Sequence, residues 1–238
     1  MTRDQVYGRR PVREALRGRR EVLELWATER AVKAEPWLRE LERPKAQVKL
    51  ERELSEAAGT RDHQGVVAWT EPYPYADAWE LAAGDRPLLA CLDQVSDPRN
   101  LGAVCRSAEG AGATGIVVPS HGSALVTPVV ARASAGAIEH LPIAVVTNLA
   151  RYLEEIKSGS LWVAGAAGEH GTPMWQADLS GGLAFVFGAE GKGLRPLVRR
   201  TCDLFVSIPQ LGQVESLNVS VAAAVLLYEA RRQREESH

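Results

Sequence analysis

The 238-residue sequence is poor in cysteine, in aromatic residues and in net charge: three cysteines, 6% Phe, Trp and Tyr, and a formal charge of −2 at pH 7. Cys91, Cys105 and Cys202 are odd in number and far apart, without C-x-x-C spacing or a paired histidine motif. That pattern argues against disulfides and against a zinc site, and no metal is expected. The cysteines read instead as small buried hydrophobes, with Cys91 in LLACL and Cys105 on an apolar helical stripe. No run approaches the roughly 20 apolar residues of a membrane span. The opening MTRDQVYGRR lacks the apolar stretch of a signal peptide, so a soluble cytoplasmic protein is expected. Repeats and low-complexity tracts are also missing, while 45% apolar residues suffice for a real core in one large domain or two modest ones.

The low net charge disfavours a polyanion partner overall, yet the charge is unevenly placed. Arg3, Arg9, Arg10, Arg13, Arg17, Arg19 and Arg20 stand against only Asp4 and Glu14 in the first twenty residues. This is either a basic patch or the solvated face of an ordinary helix.

From Val6 to Trp69 the pattern predicts short alternating elements. These are a helix in PVREALRG, a strand VLELWAT, a helix around Trp37, a strand QVKLE, a helix ERELSEAAG and a strand GVVAW. The proline-bearing TEPYPYADAWELAAGDRP then reads as a linker merging into the next domain. The expected division is residues 1–72, a linker at 73–86, and a domain at 87–238. In that last part the strands LLACL, GIVVP, IAVV, LWVAG, LAFVFG and LFVSIP are continuous apolar runs separated by helical segments. Strands of this kind are covered on both faces, so the fold class is α/β with a mostly parallel sheet. Ligands in such a sheet sit at the carboxyl ends of the strands.

The stretch EGAGATGIVV contains G-x-G-x-x-G at Gly110, Gly112 and Gly115. A dinucleotide turn needs those glycines after a strand and before a helix. Here the order is reversed. Asp97 as N-cap, Pro98 at the first helical position and the apolar stripe Leu101, Val104, Cys105 and Ala108 predict a helix upstream, and GIVVP is a strand. The glycines therefore end a helix.

Three strand ends collect polar residues. After LLACL come Asp93, Ser96, Asp97, Arg99 and Asn100, then a helix whose second stripe is small: Gly102, Ala103, Arg106 and Gly110. Something can approach Arg106 closely there, unless it simply pairs with Glu109. The second, FVFGAEGKGL, fails as a phosphate-binding loop because Val186 and Gly193 stand where that motif needs Gly and Ser or Thr. It remains a tight turn with Glu190 at its tip. The third is SIPQLGQVESLNVSVAAAVLLYE, in which Ser216 reads as a helix cap and the run Val219 to Tyr228 is too apolar for a surface helix.

Taken together, NLGAVCR, FGAEGKG and IPQLGQVESLNVSVAAAVLLYE resemble, in order and spacing, the three signature motifs of the SpoU (TrmH-like) RNA 2′-O-ribose methyltransferases of the SPOUT superfamily. VYGRRPVREAL and HQGVVA resemble the small RNA-binding domain of the branch that methylates guanosine in 23S rRNA. The resemblance implies a C-terminal α/β domain with a deep trefoil knot and a small N-terminal α/β, ribosomal protein L30-like, RNA-binding domain. It implies S-adenosyl-L-methionine as cofactor and a homodimer formed through the knot region. By position, Gly188, Ile208 and Leu217, with Gly191 and Gly212 beside them, match cofactor-contacting positions, while Asn100, Arg106, Glu190, Ser216 and Asn218 match the active-site set. Arg9, Arg10 and Arg13 are the candidates for RNA contact. Gln210 departs from the frequent Met of the third motif. A guanidinium stays protonated, so Arg106 is expected to hold phosphate and steady a developing alkoxide, not to act as base. The other readings kept open are tRNA methylation within the same family and a non-catalytic RNA binder retaining the fold.

Overall fold

The computed structural model describes residues 2–157, 160–168, 171–189, 191–213 and 216–236. In chain order its elements are β1 (Asp4–Tyr7), α1 (Arg9–Ala15), β2 (Val22–Ala27), α2 (Glu29–Ala34), α3 (Trp37–Glu40), β3 (Gln47–Val48), α4 (Glu51–Ala58), β4 (Val66–Thr70), α5 (Ala78–Ala82), β5 (Leu88–Asp93), α6 (Pro98–Gly110), β6 (Gly115–Pro119), α7 (Pro128–Ala133), a 3-10 turn (Ala137–Glu139), β7 (Ile143–Val146), α8 (Leu149–Ile156), β8 (Leu161–Ala167), β9 (Thr172–Pro173), β10 (Gly182–Gly188), α9 (Pro196–Thr201), β11 (Leu204–Ser207) and α10 (Val219–Glu236). They fall into two compact units: Met1–Pro74 with Val126–His140, and Tyr75–Leu125 with Leu141–His238.

The first unit is built on a four-stranded sheet ordered β1-β4-β2-β3, antiparallel except for the β2–β3 pair. The expected elements are present, with two additions. β1 begins with two polar residues and exists through its ladder to β4, a pairing that no local pattern reveals. α2 follows β2 directly, because Thr28, read from the sequence as the end of that strand, leaves it to cap the helix, its hydroxyl accepting from the Ala31 amide at 3.2 Å. The segment 126–140 belongs here too, although the sequence reading placed it in the later domain. Within it Glu139 is buried and grips Arg20: Nε reaches Oε2 at 3.0 Å and Nη2 reaches Oε1 at 2.7 Å. Asp4 adds a contact to Nη1 at 3.2 Å. Arg20 is therefore a structural cation, and the N-terminal basic run is less available for a partner than its composition suggested.

The second unit carries a seven-stranded sheet, parallel throughout, ordered β7-β6-β5-β10-β8-β11-β9. β5 and β6 are buried at every position and β10 at all but its last. Burial on both faces is why these strands read as unbroken apolar runs. The chain runs β5, β6, β7 outward to one edge and restarts at β8 on the other side of β5, which creates the kind of crevice that parallel sheets use for ligands. Among the described residues, no helix is long and apolar enough to cross a membrane.

α6 forms as its sequence predicts. Asp97 caps it by accepting from the Arg99 amide at 2.8 Å, Pro98 opens it, and Leu101, Val104, Cys105 and Ala108 are buried. Gly110 ends it and Gly115 opens β6, so the G-x-G-x-x-G run is a helix-to-strand turn. The expected cap at Ser216 is corrected. The cap of α10 is Asn218, whose Oδ1 accepts from the Ser220 amide at 2.9 Å and from its hydroxyl at 2.6 Å.

Candidate active site

The carboxyl ends of β8, β10 and β11 surround a cavity of about 420 Å³. Its wall comprises Ala166 to Gly168 after β8, Gly188, Ala189, Gly191 and Gly193 after β10, Ile208 and Gln210 after β11, and Ser216, Leu217 and Val219 at the entry to α10. Strands that stop together leave their last amides and carbonyls facing one space, and glycines keep that backbone uncovered.

The loop after β10 is held from three sides. A Cβ at Gly188 would overlap the backbone of Gly193. Gly193 takes the left-handed conformation at φ +64° and donates its amide to the Ala189 carbonyl at 2.9 Å. At the far end of the loop, Arg195 donates its amide at 2.8 Å and its Nε at 2.6 Å to the two oxygens of Asp93, which is fully buried. The sequence placed Asp93 at a strand end without giving it a role. Nothing local connects it to Arg195, 102 positions away.

Of the expected catalytic set, Asn100 and Asn218 are brought together: Asn218 Nδ2 donates to Asn100 Oδ1 at 3.1 Å. This bond ties the first turn of α6 to the cap of α10. Ser216 lies on the cavity wall. Arg106 is exposed further along α6 and, among the described residues, forms no ion pair with Glu109 or any other carboxylate. Glu190 falls outside the described residues. Of the expected cofactor positions, Gly188, Gly191, Ile208 and Leu217 line the cavity, whereas Gly212 lies exposed in the preceding loop and does not. The small stripe of α6 receives α10, and the Tyr228 hydroxyl lies 2.7 Å from where a Cβ on Gly110 would stand.

Burial explains the cysteines. It raises the Cys91 thiol well above its ordinary range, pushes Cys105 up to about 12, and raises the partly exposed Cys202 to about 11, where the Asp203 carboxylate adds to the effect. In the first unit, Arg9 is half-buried and engaged by the Gln64 carbonyl and the Glu35 carboxylate, both at 3.2 Å. Arg10 and Arg13 are exposed and, among the described residues, carry no ion pair.

The sequence pattern of the SpoU rRNA Methylase family matches residues 87–228, and that of the RNA 2′-O ribose methyltransferase substrate-binding domain matches residues 5–76. The chain belongs to the SpoU rRNA methylase family. The 23S rRNA (guanosine-2′-O-)-methyltransferase RlmB of Pseudomonas putida is 42% identical to it over 98% of this chain and 97% of its own. The RlmB of Shewanella oneidensis is 46% identical over 79% of this chain and 78% of its own. Among solved structures, the SpoU methyltransferase AviRb of Streptomyces viridochromogenes, crystallised with AdoMet, superimposes with a TM-score of 0.84 at 28% identity, covering 98% of this chain and 91% of that one. The seven-stranded parallel α/β unit is thus a SpoU methylase fold, and the cavity at its strand ends is lined by residues of FGAEGKG and IPQLGQVESLNV, within the matched span.

Proposed function

We propose that this SpoU-family chain is an S-adenosylmethionine-dependent RNA 2′-O-ribose methyltransferase whose acceptor is a guanosine of 23S rRNA. The observation that carries the reading is the cavity between β8, β10 and β11, with the Asn100–Asn218 bond joining two of the loops that serve it. Its volume suits a nucleoside-sized ligand, and the Gly188 backbone forms a cradle that a side chain would fill. Gly188, Gly191, Ile208 and Leu217 would hold S-adenosylmethionine. Its sulfonium supplies an already activated methyl group.

Positioning is the protein's larger task, because a ribose hydroxyl must be presented in line and relieved of one proton. Arg106 is free of carboxylates among the described residues, so it holds an RNA phosphate and stabilises charge developing on the ribose oxygen. Asn100 and Asn218 fix each other and hold the ribose between α6 and α10. Ser216 orders the third-motif loop at the cavity wall, and Glu190 is assigned to the second-motif loop. Gly212 contributes to the same binding loop from outside the wall.

Residues 1–72 serve as the RNA-binding domain, with Arg10 and Arg13 for phosphate and Arg9 as a supporting contact. Residues 73–86 form the linker, and 87–238, apart from the segment 126–140 that belongs to the first unit, form the knotted methyltransferase domain. Val221 and Tyr228 stay exposed on α10, and we assign that face to a second copy of the chain in a homodimer. An rRNA acceptor places the enzyme in the cytoplasm. Offering unmodified 23S rRNA and bulk tRNA together, with methyl-labelled S-adenosylmethionine, tests the acceptor: label in 23S rRNA is expected, and label confined to tRNA overturns the choice.

A further inference from the structure

We propose that Asp93 is a positioning residue for the methyl donor: by holding Arg195 it keeps the backbone of Gly193–Arg195 against Gly188 at the cavity wall and thereby sets the affinity for S-adenosylmethionine. This deepens the function proposed above and rests on reading the cavity as the S-adenosylmethionine site.

Asp93 is the last residue of β5, and its partner across the parallel ladder is Gly188, the last residue of β10. The loop therefore departs beside Asp93. It returns to Asp93 as well, since the Arg195 amide and Nε each bond one of its carboxylate oxygens, at 2.8 and 2.6 Å. One side chain thus marks both ends of the loop. Between those ends, Gly188, Ala189, Gly191 and Gly193 supply cavity wall. Glycine-rich backbone has many open conformations, and holding its ends is what confines it. The carboxylate is fully buried while the Arg195 side chain is 41% exposed. A buried anion keeps its cation in a fixed place, because leaving that anion unpaired costs more than any rearrangement at the surface returns.

A merely structural ion pair would change stability without discriminating between ligands. Asp93→Asn leaves one acceptor oxygen for two donors and removes the charge, so it loosens the loop's return without emptying the space. Arg195→Lys keeps the charge and the backbone donor, and is the milder variant. The test measures S-adenosylhomocysteine binding by calorimetry, KM for S-adenosylmethionine, kcat, and RNA affinity. For Asp93→Asn the expected result is a rise of about tenfold in Kd and KM, with kcat within about threefold and RNA affinity unchanged; Arg195→Lys falls between it and the wild type. If Asp93→Asn lowers only the melting temperature and leaves KM within about twofold, or if the loss lies wholly in kcat, the inference is wrong. Should Asp93→Asn fail to fold, an unchanged KM in Arg195→Lys overturns it equally. Failure of the wild-type protein to bind S-adenosylhomocysteine is a different result: it refutes the cofactor reading itself and takes this inference with it.

Discussion

Asn218 donates a hydrogen bond to Asn100 at 3.1 Å across 118 positions of sequence, and its other amide atom caps α10. One side chain thus starts a helix and fastens that start to the first turn of α6. Replacing Asn218 with Ala should cost about 1 kcal/mol of stability through the lost cap. It should also lower methyl transfer, and Asn100→Ala should lower it through the same contact. The double variant should then lose less than the two single losses multiplied. Independent, multiplying losses would show that the bond has no part in catalysis.

Arg106 offers a charged group unclaimed by any carboxylate among the described residues. Arg106→Ala should reduce turnover by about a hundredfold or more, the scale seen when a donor to a developing oxyanion is removed, with S-adenosylhomocysteine binding within a few-fold. Near-normal turnover would remove Arg106 from the site.

Gly188 tests the cradle. The methyl of Ala at this position overlaps the Gly193 backbone, so the loop must move outward. Calorimetry should show cofactor binding weakened by at least about tenfold while the fold persists. Unchanged binding would place the cofactor elsewhere.

Thiol reactivity tests the core around the strand ends. Because burial and Asp203 raise Cys202 to about 11 and burial raises Cys105 to about 12, both are neutral thiols at pH 7. Reaction of the native protein with an aromatic disulfide reagent should be slow, begin at Cys202, and still be rising at pH 9, beyond the usual thiol range near 8.5. A fast phase saturating below pH 8 would contradict this account.

Glu139 tests the first unit. Its carboxylate and the Arg20 guanidinium are both almost fully buried, so Glu139→Ala leaves a buried cation with Asp4 as its one remaining carboxylate among the described residues, beside the Glu71 carbonyl and the Tyr73 ring. The expected loss is about 3–5 kcal/mol in chemical denaturation. For the same reason a fragment ending near residue 76 should be poorly folded. A loss below about 1 kcal/mol would show that Asp4 and water replace Glu139.

Much of this was legible in the sequence, for identifiable reasons. The parallel strands announced themselves because burial on both faces removes polar residues from them, and α6 because Asp97, Pro98 and its apolar stripe agree. β1 and β9 were not legible, since each is a short segment made into a strand by a distant partner. The place of residues 126–140 was hidden because their decisive contact, Glu139 with Arg20, spans 119 positions. At the site, spacing marked the three loops, whereas their mutual fastening by Asp93–Arg195 and Asn100–Asn218 exists only in three dimensions. Ser216 and Asn218 can both cap a helix and lie two positions apart, and only the helix start at Val219 decides for Asn218.

The most direct measurement is nucleoside mass spectrometry of unmodified 23S rRNA after incubation with the protein and methyl-labelled S-adenosylmethionine. The account predicts label in 2′-O-methylguanosine, lost with Arg106→Ala. Label on a base, on the ribose of another nucleoside, or nowhere in RNA despite bound cofactor would contradict it.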